Sequence, residues 1–352
     1  MPDFDTTYIH TPMFHGRLSD QEIRLLFHRD RAQIPPYRTA RLNTHLPLRS
    51  KREIRPVEID LAGVKTHLKL SPLMNNVVNI INFPVWIMQK DGVESDNFTL
   101  HRLNQNESAI DGSFYGDSEK MAVMLGYSKD REIYYDGVFG NSSTVTVVRS
   151  IAEKWWRESA DIGDHIIYDV DEDVNTTIST DVNSQNTELM GQPLKIMYPK
   201  LLIFVENSFF KQLGENVKET INYVSIFWNA VNMKYSELPS PKVRIKVTGI
   251  IIEKDESSLS CIHESWKNDT KPDIDTMKML LGCGRAFRGS ICMAKYNSGF
   301  IHDDGNYDGV QTAAHELGHL LNLPHDGMEG AEECDGYPED GIGTMMAPFK
   351  TS

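Results

Sequence analysis

The amino-acid sequence predicts two structural parts, a β-rich domain in residues 1–190 and a mixed α/β fold in residues 191–352. Three observations support this division. Short apolar stretches separated by polar turns fill the first part, a polar acidic segment follows, and strand-like and helix-like periods alternate after it. A chain of 352 residues is long enough for two domains with hydrophobic cores.

The first part contains short apolar stretches such as Val77–Ile81 and Thr144–Val148, which are typical of strands. Segment 169–191 is acidic and nearly without large apolar side chains, so we place the domain boundary there. The basic run Arg49–Arg52 has two open interpretations. It is either a processing site on an exposed loop or a solvated charge cluster.

The second part alternates between element types. A continuous apolar run predicts a strand at Leu201–Val205, and apolar residues at every third or fourth position predict a long amphipathic helix over 217–235. Alternation of apolar and basic residues predicts a second strand at Val243–Val247. A shorter helix near 275–281 and a strand near Ile291–Ala294 follow. This order predicts a mixed sheet with helices packed on it.

Charge and hydropathy exclude several classes of function. The chain has 36 basic and 50 acidic side chains, a net charge of −14, which is the wrong sign for binding nucleic acid or anionic lipid. The longest apolar runs, such as Leu201–Val205, have five residues, far fewer than the roughly 18 that a membrane span needs. We therefore predict no membrane span and no nucleic-acid partner.

Cysteines and glycosylation sequons favour a secreted protein. Four cysteines in the last hundred residues predict disulfides, with three possible pairings: Cys261, Cys283, Cys292 and Cys334. Five Asn-x-Ser/Thr sequons favour a glycoprotein: Asn97, Asn106, Asn141, Asn175 and Asn268. The first residues show no basic segment followed by an apolar stretch, so no signal peptide is visible. Either it was removed or the start is not the native one.

Residues 309–328 carry the chemistry. Apolar residues form one stripe of a predicted helix, while His315 and His319, four residues apart, lie on the opposite face. Two such histidines can bind one zinc ion, and Glu316 can reach a water molecule beside the metal without being a ligand. Pro324 ends the helix, and Asn322 tolerates the left-handed turn that would bring His325 back to the metal. Three histidine ligands with an open fourth position are typical of a catalytic zinc site.

These residues resemble a known family. The run His315–Asp326 is similar to the extended zinc signature of the metzincins, and Asp326 after the third histidine resembles the adamalysin/reprolysin branch. Gly343–Pro348 resembles the methionine turn beneath the zinc, with Met346 as its methionine. Segments 204–235, 289–292 and 298–301 also resemble this family, especially arthropod salivary (tick) and venom enzymes, and residues 1–190 are similar to its propeptide.

The resemblance implies a metzincin-like catalytic domain with a twisted mixed sheet and an active-site helix, preceded by a pro-domain. It implies a secreted zinc-dependent endopeptidase, made as a zymogen, with Zn²⁺ on His315, His319 and His325, Glu316 as catalytic base and Met346 as structural support. Segment 289–301 would supply the edge strand that holds an extended peptide substrate. The expected partners are extracellular proteins or peptides.

Three departures from the family pattern leave an alternative open. Asn322 stands where the family usually has glycine, the chain ends six residues after Met346, and no cysteine precedes Cys261. Any latency must therefore be steric or use another ligand, and the catalytic domain is apparently truncated at its C-terminus. The alternative is a catalytically silent protease-like glycoprotein that binds partners without cleaving them. The intact Glu316 argues against it.

Overall fold

A computed structural model describes residues 14–40, 42, 55–61, 64–73, 76–78, 83–92, 97–129, 132–140, 144–156, 163–171, 195–236, 238–255, 284–293, 296–328, 330–332 and 344–347. Its strands are β1 (Arg38–Ala40), β2 (Arg55–Leu61), β3 (Val64–Pro72), β4 (Val85–Lys90), β5 (Phe98–Arg102), β6 (Ser113–Asp117), β7 (Ala122–Lys129), β8 (Glu132–Gly140), β9 (Thr144–Ser150), β10 (His165–Asp171), β11 (Ile196–Met197), β12 (Lys200–Val205), β13 (Lys242–Val243), β14 (Lys246–Glu253), β15 (Gly284–Ala286) and β16 (Gly299–Ile301). The α-helices are α1 (Asp20–Phe27), α2 (Gln105–Ser108), α3 (Glu153–Trp156), α4 (Asn207–Gln212), α5 (Val217–Ser236) and α6 (Val310–Leu320).

The first 171 residues are rich in strands, as predicted. Eight strands form one sheet in the order β1-β10-β9-β8-β7-β6-β3-β2, and every neighbouring pair in it is antiparallel. Thr144–Val148 lies in β9, as the sequence predicts. Val77 and Val78 are buried but lie in a bend, and the backbone of Val77 bonds to Asn229 and Val247 instead of joining a strand ladder.

The second sheet is mixed and positions the later helices. Its order is β12-β14-β4-β5, in which β12, β14 and β4 are parallel and β5 is antiparallel. The predicted strand at Leu201–Val205 and the predicted helix over 217–235 are both confirmed, as β12 and α5. The predicted strand at Val243–Val247 lies partly in β13 and partly at the start of β14. Strand β14 then continues through the isoleucines at 250–252 to Glu253.

Helix α5 lies at the centre of the molecule because it is apolar on most of its surface. It packs against β7 and β8 of the eight-stranded sheet, against β14 of the mixed sheet and against α6. One apolar core therefore joins strands of both sheets to the two long helices, with Val147, Val231, Ile250 and Leu317 among its members. A second, smaller core contains Leu68, Met124 and Ile167, and its members lie in or next to strands of the eight-stranded sheet.

The predicted strand at Ile291–Ala294 is wrong. The short strands of this region are β15 and β16, which pair with each other, and residues 291–292 form a turn. The reason is a tertiary contact: the N–H groups of Gly289 and Ile291 donate to His319 O (2.8 Å) and Leu320 O (3.2 Å) at the end of α6. The backbone here caps a helix instead of pairing in a sheet.

Other predictions fall on residues outside the described ranges. They include the processing site at Arg49–Arg52, the helix near 275–281 and all of the acidic segment after Asp171, whose residues 169–171 belong to β10. Cys292 and the sequon residues Asn97 and Asn106 are exposed, and the remaining cysteines and sequons lie outside the described residues. Within the described ranges, each helix is too short or too polar to cross a membrane.

Candidate metal centre

Helix α6 carries the first two predicted ligands into the protein interior. Its residues are buried on almost every side, from Val310 to Leu320. On one side Val310, Ala313 and Leu317 join the central core. The hydroxyl of Tyr235, at the end of α5, donates to the carbonyl of Ala314 at 2.6 Å and links the two helices.

The rings of His315 and His319 are oriented by backbone carbonyls. Nδ1 of His315 lies 3.0 Å from Met345 O, and Nδ1 of His319 lies 3.0 Å from Leu323 O. A carbonyl can only accept, so the hydrogen of each ring is on Nδ1 and the Nε2 atom carries a lone pair. Burial lowers the pKa of His315 to about 3, with the neighbouring His319 acting in the same direction. The His315 ring is therefore neutral near pH 7, the state that binds a metal.

A left-handed turn returns His325 to the same point. Asn322 has a φ of +77°, and the N–H of Leu323 donates to Gly318 O at 2.9 Å, which closes the end of the helix. Gly and Asn tolerate this conformation best among the amino acids. Nε2 of His325 consequently lies 3.1 Å from Nε2 of both His315 and His319.

The three nitrogens fit one metal ion. His325 has at most one hydrogen on Nε2, so at least one of the two 3.1 Å contacts would hold two nitrogens close together without a proton between them. A cation at the centre of the cluster removes that repulsion. Nitrogens at about 2.0–2.1 Å from a tetrahedral zinc are about 3.3 Å apart, close to the spacing found here. Among the described residues, this is the one group of three or more potential ligands that could hold a metal.

Glu316 is buried beside strand β15. Its side chain is 3% exposed, and neither carboxylate oxygen has a hydrogen-bond partner among the described residues. Burial raises the pKa of Glu316 to about 8, although the Ala286 N–H and the Arg285 guanidinium, which lie nearby without forming a well-aligned hydrogen bond to it, favour the ionised form. A buried carboxyl without a partner is costly for folding, which is typical of a group retained for chemistry.

Met346 lies against helix α6, next to Gly318. A Cβ atom on Gly318 would lie 2.5 Å from the Met346 sulfur, so the two residues approach more closely than any side chain at position 318 would allow. Two bonds hold this turn in place: Asp326 N donates to Met346 O at 3.0 Å, and Thr344 Oγ1 donates to Asp326 Oδ2 at 2.5 Å. The turn also supplies Met345 O, which orients the His315 ring.

Gly284 was not predicted from the sequence, although it shapes the site. An added Cβ there would lie 2.6 Å from Thr312 Cγ2 and 2.9 Å from Glu316 Cγ. Only glycine therefore lets β15 approach α6 closely enough to pass beside Glu316. A lone glycine at the start of a three-residue strand gives no periodic signal, whereas the histidine spacing does. The structure thus brings together every predicted site residue: His315, His319, His325, Glu316, Asn322 and Met346.

The fold and the site define a class of protein, a metal-binding α/β protein, because three buried histidines on and after helix α6, which packs against α5, β15 and β16, converge on one point. The sequence model that describes metallo-peptidase family M12 (reprolysin) matches residues 200–352 of this chain. Venom metalloproteinases 3 and 2 of Eulophus pennicornis are 30% and 29% identical over 94% and 95% of this chain, covering 86% and 88% of their own lengths. A Bombyx mori protein described as like a disintegrin and metalloproteinase with thrombospondin motifs is 26% identical over 40% of this chain and 28% of its own. The chain belongs to the reprolysin family of M12 metallopeptidases.

Proposed function

We propose that this chain is a secreted zinc endopeptidase, made as a zymogen, that hydrolyses peptide bonds of protein substrates. Residues 191–352 would form the proteinase and residues 1–190 its pro-region. The observation that carries the proposal is the convergence of three histidine Nε2 atoms next to Glu316, a buried residue whose carboxyl oxygens have no hydrogen-bond partner among the described residues. Secretion is supported by the two similar venom metalloproteinases and by the exposed sequon residues Asn97 and Asn106.

Each residue of the site has a distinct role in this proposal. His315, His319 and His325 would hold the metal through Nε2, and zinc would supply Lewis acidity that polarises the scissile carbonyl and acidifies a water molecule. A carboxylate oxygen of Glu316 would accept the proton of the attacking water and deliver it to the nitrogen of the leaving amine. The Met345 and Leu323 carbonyls keep the first two imidazoles in the correct tautomer. Met346 would support the site without reacting.

The substrate would bind along strand β15. Among the described residues, this strand pairs only with β16, and it runs beside Glu316. An extended peptide can add to such a strand through main-chain hydrogen bonds, which brings one of its carbonyls to the metal. In this proposal residues 284–286 hold the extended substrate, whereas the sequence analysis predicted that segment 289–301 would hold it.

The metal is tested by elemental analysis of the full chain. We expect about one zinc per wild-type molecule and less than a tenth of that in His319→Ala, because two imidazoles do not replace three. His302→Ala is the matched control, since His302 is half exposed and lies outside the cluster. Zinc-free wild type, or zinc retained in His319→Ala, would reject the site.

Catalysis is tested on a denatured protein substrate after the chain is cut in segment 172–194. We expect Glu316→Gln to retain zinc and to lose at least a hundredfold in cleavage rate, the usual scale of a general base. Glu119→Gln, at an exposed position, should cleave like wild type. A wild type that holds zinc and still cleaves nothing after cutting would favour the silent binding protein.

A further inference from the structure

The mixed sheet takes strands from both sides of the predicted boundary at residue 190. Strand β4 pairs with β14 in parallel, in a register that runs from Val85 opposite Ile250 to Met88 opposite Glu253. The N–H of Ile250 donates to Pro84 O at 3.1 Å, and the N–H of Lys254 donates to Met88 O at 2.9 Å. Because β12 pairs with the other side of β14, strand β14 lies inside the sheet only while β4 is present.

Hydrogen bonds from residues after the predicted boundary hold the bend at residues 76–78 in place. The side-chain oxygen of Asn229, on α5, accepts from Val77 N at 3.2 Å, and Val247 N of β14 donates to Val77 O at 2.9 Å. The Lys246 ammonium donates to Asn76 O at 3.1 Å. Val77 and Asn229 are both buried, so solvent cannot replace these bonds without opening the contact.

A buried charge cluster joins the two parts on another side of α5. Arg149 of β9 donates to Glu219 Oε1 of α5 at 2.5 Å, and Nε2 of His28, just after α1, lies 3.1 Å from the same oxygen. Nδ1 of His28 lies 2.7 Å from Gly305 O, in the loop before α6. Burial alone would raise the pKa of Glu219, but Arg149 and His28 lower it to about 2. Separating the parts would leave each charge without its partner.

We infer that residues 14–171 are a permanent subunit of the proteinase and that they remain bound after the chain is cut between residues 171 and 195. The mature form would be a two-chain complex in which β4 completes the proteinase sheet. All of the contacts described above join residues outside segment 172–194, so a cut there breaks none of them. The shared apolar core, which contains Val85, Val147, Ile250 and Leu317, adds to the cohesion of the complex. This inference goes beyond the proposed function because it holds whether or not the chain cleaves peptides.

The test uses the full chain with a recognition sequence for a site-specific protease inserted in segment 172–194. After complete cutting, we measure the mass in solution by light scattering on a sizing column and by native mass spectrometry. We expect one species with the mass of the uncut chain at micromolar concentration, which separates into two fragments only in denaturant. Two separate fragments in native buffer would overturn the inference.

Two variants of the cut chain show which contacts matter. Glu219→Ala leaves Arg149 and His28 buried without their carboxylate, so we expect at least a tenfold larger dissociated fraction on dilution. Glu119→Ala, which removes an exposed carboxylate 3.8 Å from Lys69, should dissociate no more than wild type. The wild-type result decides the inference even if Glu219→Ala does not fold.

Zinc content measured on the same samples separates the two proposals. Fragments that part while the C-terminal one keeps its zinc would overturn the two-chain complex and leave the metal site standing. A stable complex without zinc or cleavage would reject the proposed function and leave the two-chain complex standing.

Discussion

Replacing Gly284 by alanine tests how closely strand β15 must approach helix α6. The new Cβ would lie 2.6 Å from Thr312 Cγ2, 2.9 Å from Glu316 Cγ and 3.2 Å from Glu316 Oε1. Ordinary contacts begin at about 3.4 Å, so the first falls short by roughly 0.8 Å and the second by roughly 0.5 Å. Thr312 and Glu316 are both buried and cannot turn away, so the strand or the helix has to move.

The cost follows from that displacement. Overpacking of this size in a core lowers the free energy of unfolding by about 1–3 kcal/mol. Thr312→Ser removes the methyl group of the shortest contact, at a cost of its own of about 1 kcal/mol for the lost methyl. We therefore expect the free energy of unfolding of the double variant, Gly284→Ala with Thr312→Ser, to be about 0.5–1.5 kcal/mol higher than the sum of the two single effects predicts. A shift of Glu316 by about 0.5 Å should also reduce cleavage roughly tenfold or more.

The assay is urea unfolding followed by tryptophan fluorescence at a fixed zinc concentration, with cleavage rates measured in parallel. Gly16→Ala is the matched control, because a Cβ at that position would meet no atom within 4 Å. Zinc content should stay at the wild-type value in every variant, since the three atoms nearest to a Cβ at position 284 belong to Thr312 and Glu316 and not to a histidine. If Gly284→Ala and Gly16→Ala were equally stable and equally active, the close approach of β15 to α6 would be refuted.

Substitutions at two further positions, His28 and Asn322, test the buried charge cluster and the helix-exit turn. Burial and the charge of Arg149 lower the pKa of His28 in the folded chain. As the pH falls, the unfolded chain therefore takes up a proton at this histidine before the folded chain does. The free energy of unfolding then decreases below about pH 6.5, by at most about 1.4 kcal/mol per pH unit. Urea midpoints at pH 7.5 and 5.5 should therefore differ more for wild type than for His28→Gln, and equal differences would contradict this linkage. At the helix-exit turn, where φ is +77°, Asn322→Ala should cost about 1–2 kcal/mol and Asn322→Gly less than about 0.5 kcal/mol. Equal unfolding midpoints for Asn322→Ala and Asn322→Gly would show that the turn does not require the left-handed conformation.

The sequence was most informative where side-chain spacing repeats locally. Helix α5 spans Val217–Ser236 against a predicted 217–235, and β12 begins one residue before the predicted Leu201. The histidine spacing likewise placed two imidazoles on one face of α6, and Pro324 indicated the turn that follows. Each of these features depends on residues within one or two turns of the chain, which is the range over which periodicity carries information.

Contacts distant in sequence could not be predicted in this way. Val85–Lys90 reads as an ordinary short strand, and nothing within it specifies pairing with β14 instead of a neighbour in the first sheet. Segment 289–292 was misassigned because its backbone partners are the carbonyls at the end of α6. Gly284 was missed because its importance depends on Thr312 and Glu316, which lie about thirty positions later in the chain. Such features are fixed by tertiary packing, which overrides local preference.

The parallel pairing of β4 with β14 also sets the order in which the chain can fold. Val85 leaves the ribosome 165 residues before Ile250, its partner in the ladder. At about 5–20 residues per second, the hairpin β4–β5 waits roughly 8–33 seconds with its inner edge unpaired. Long-range strand pairing of this kind slows folding and exposes strand edges to association with other chains. Nascent molecules of this protein should therefore depend on chaperones until β14 has been synthesised.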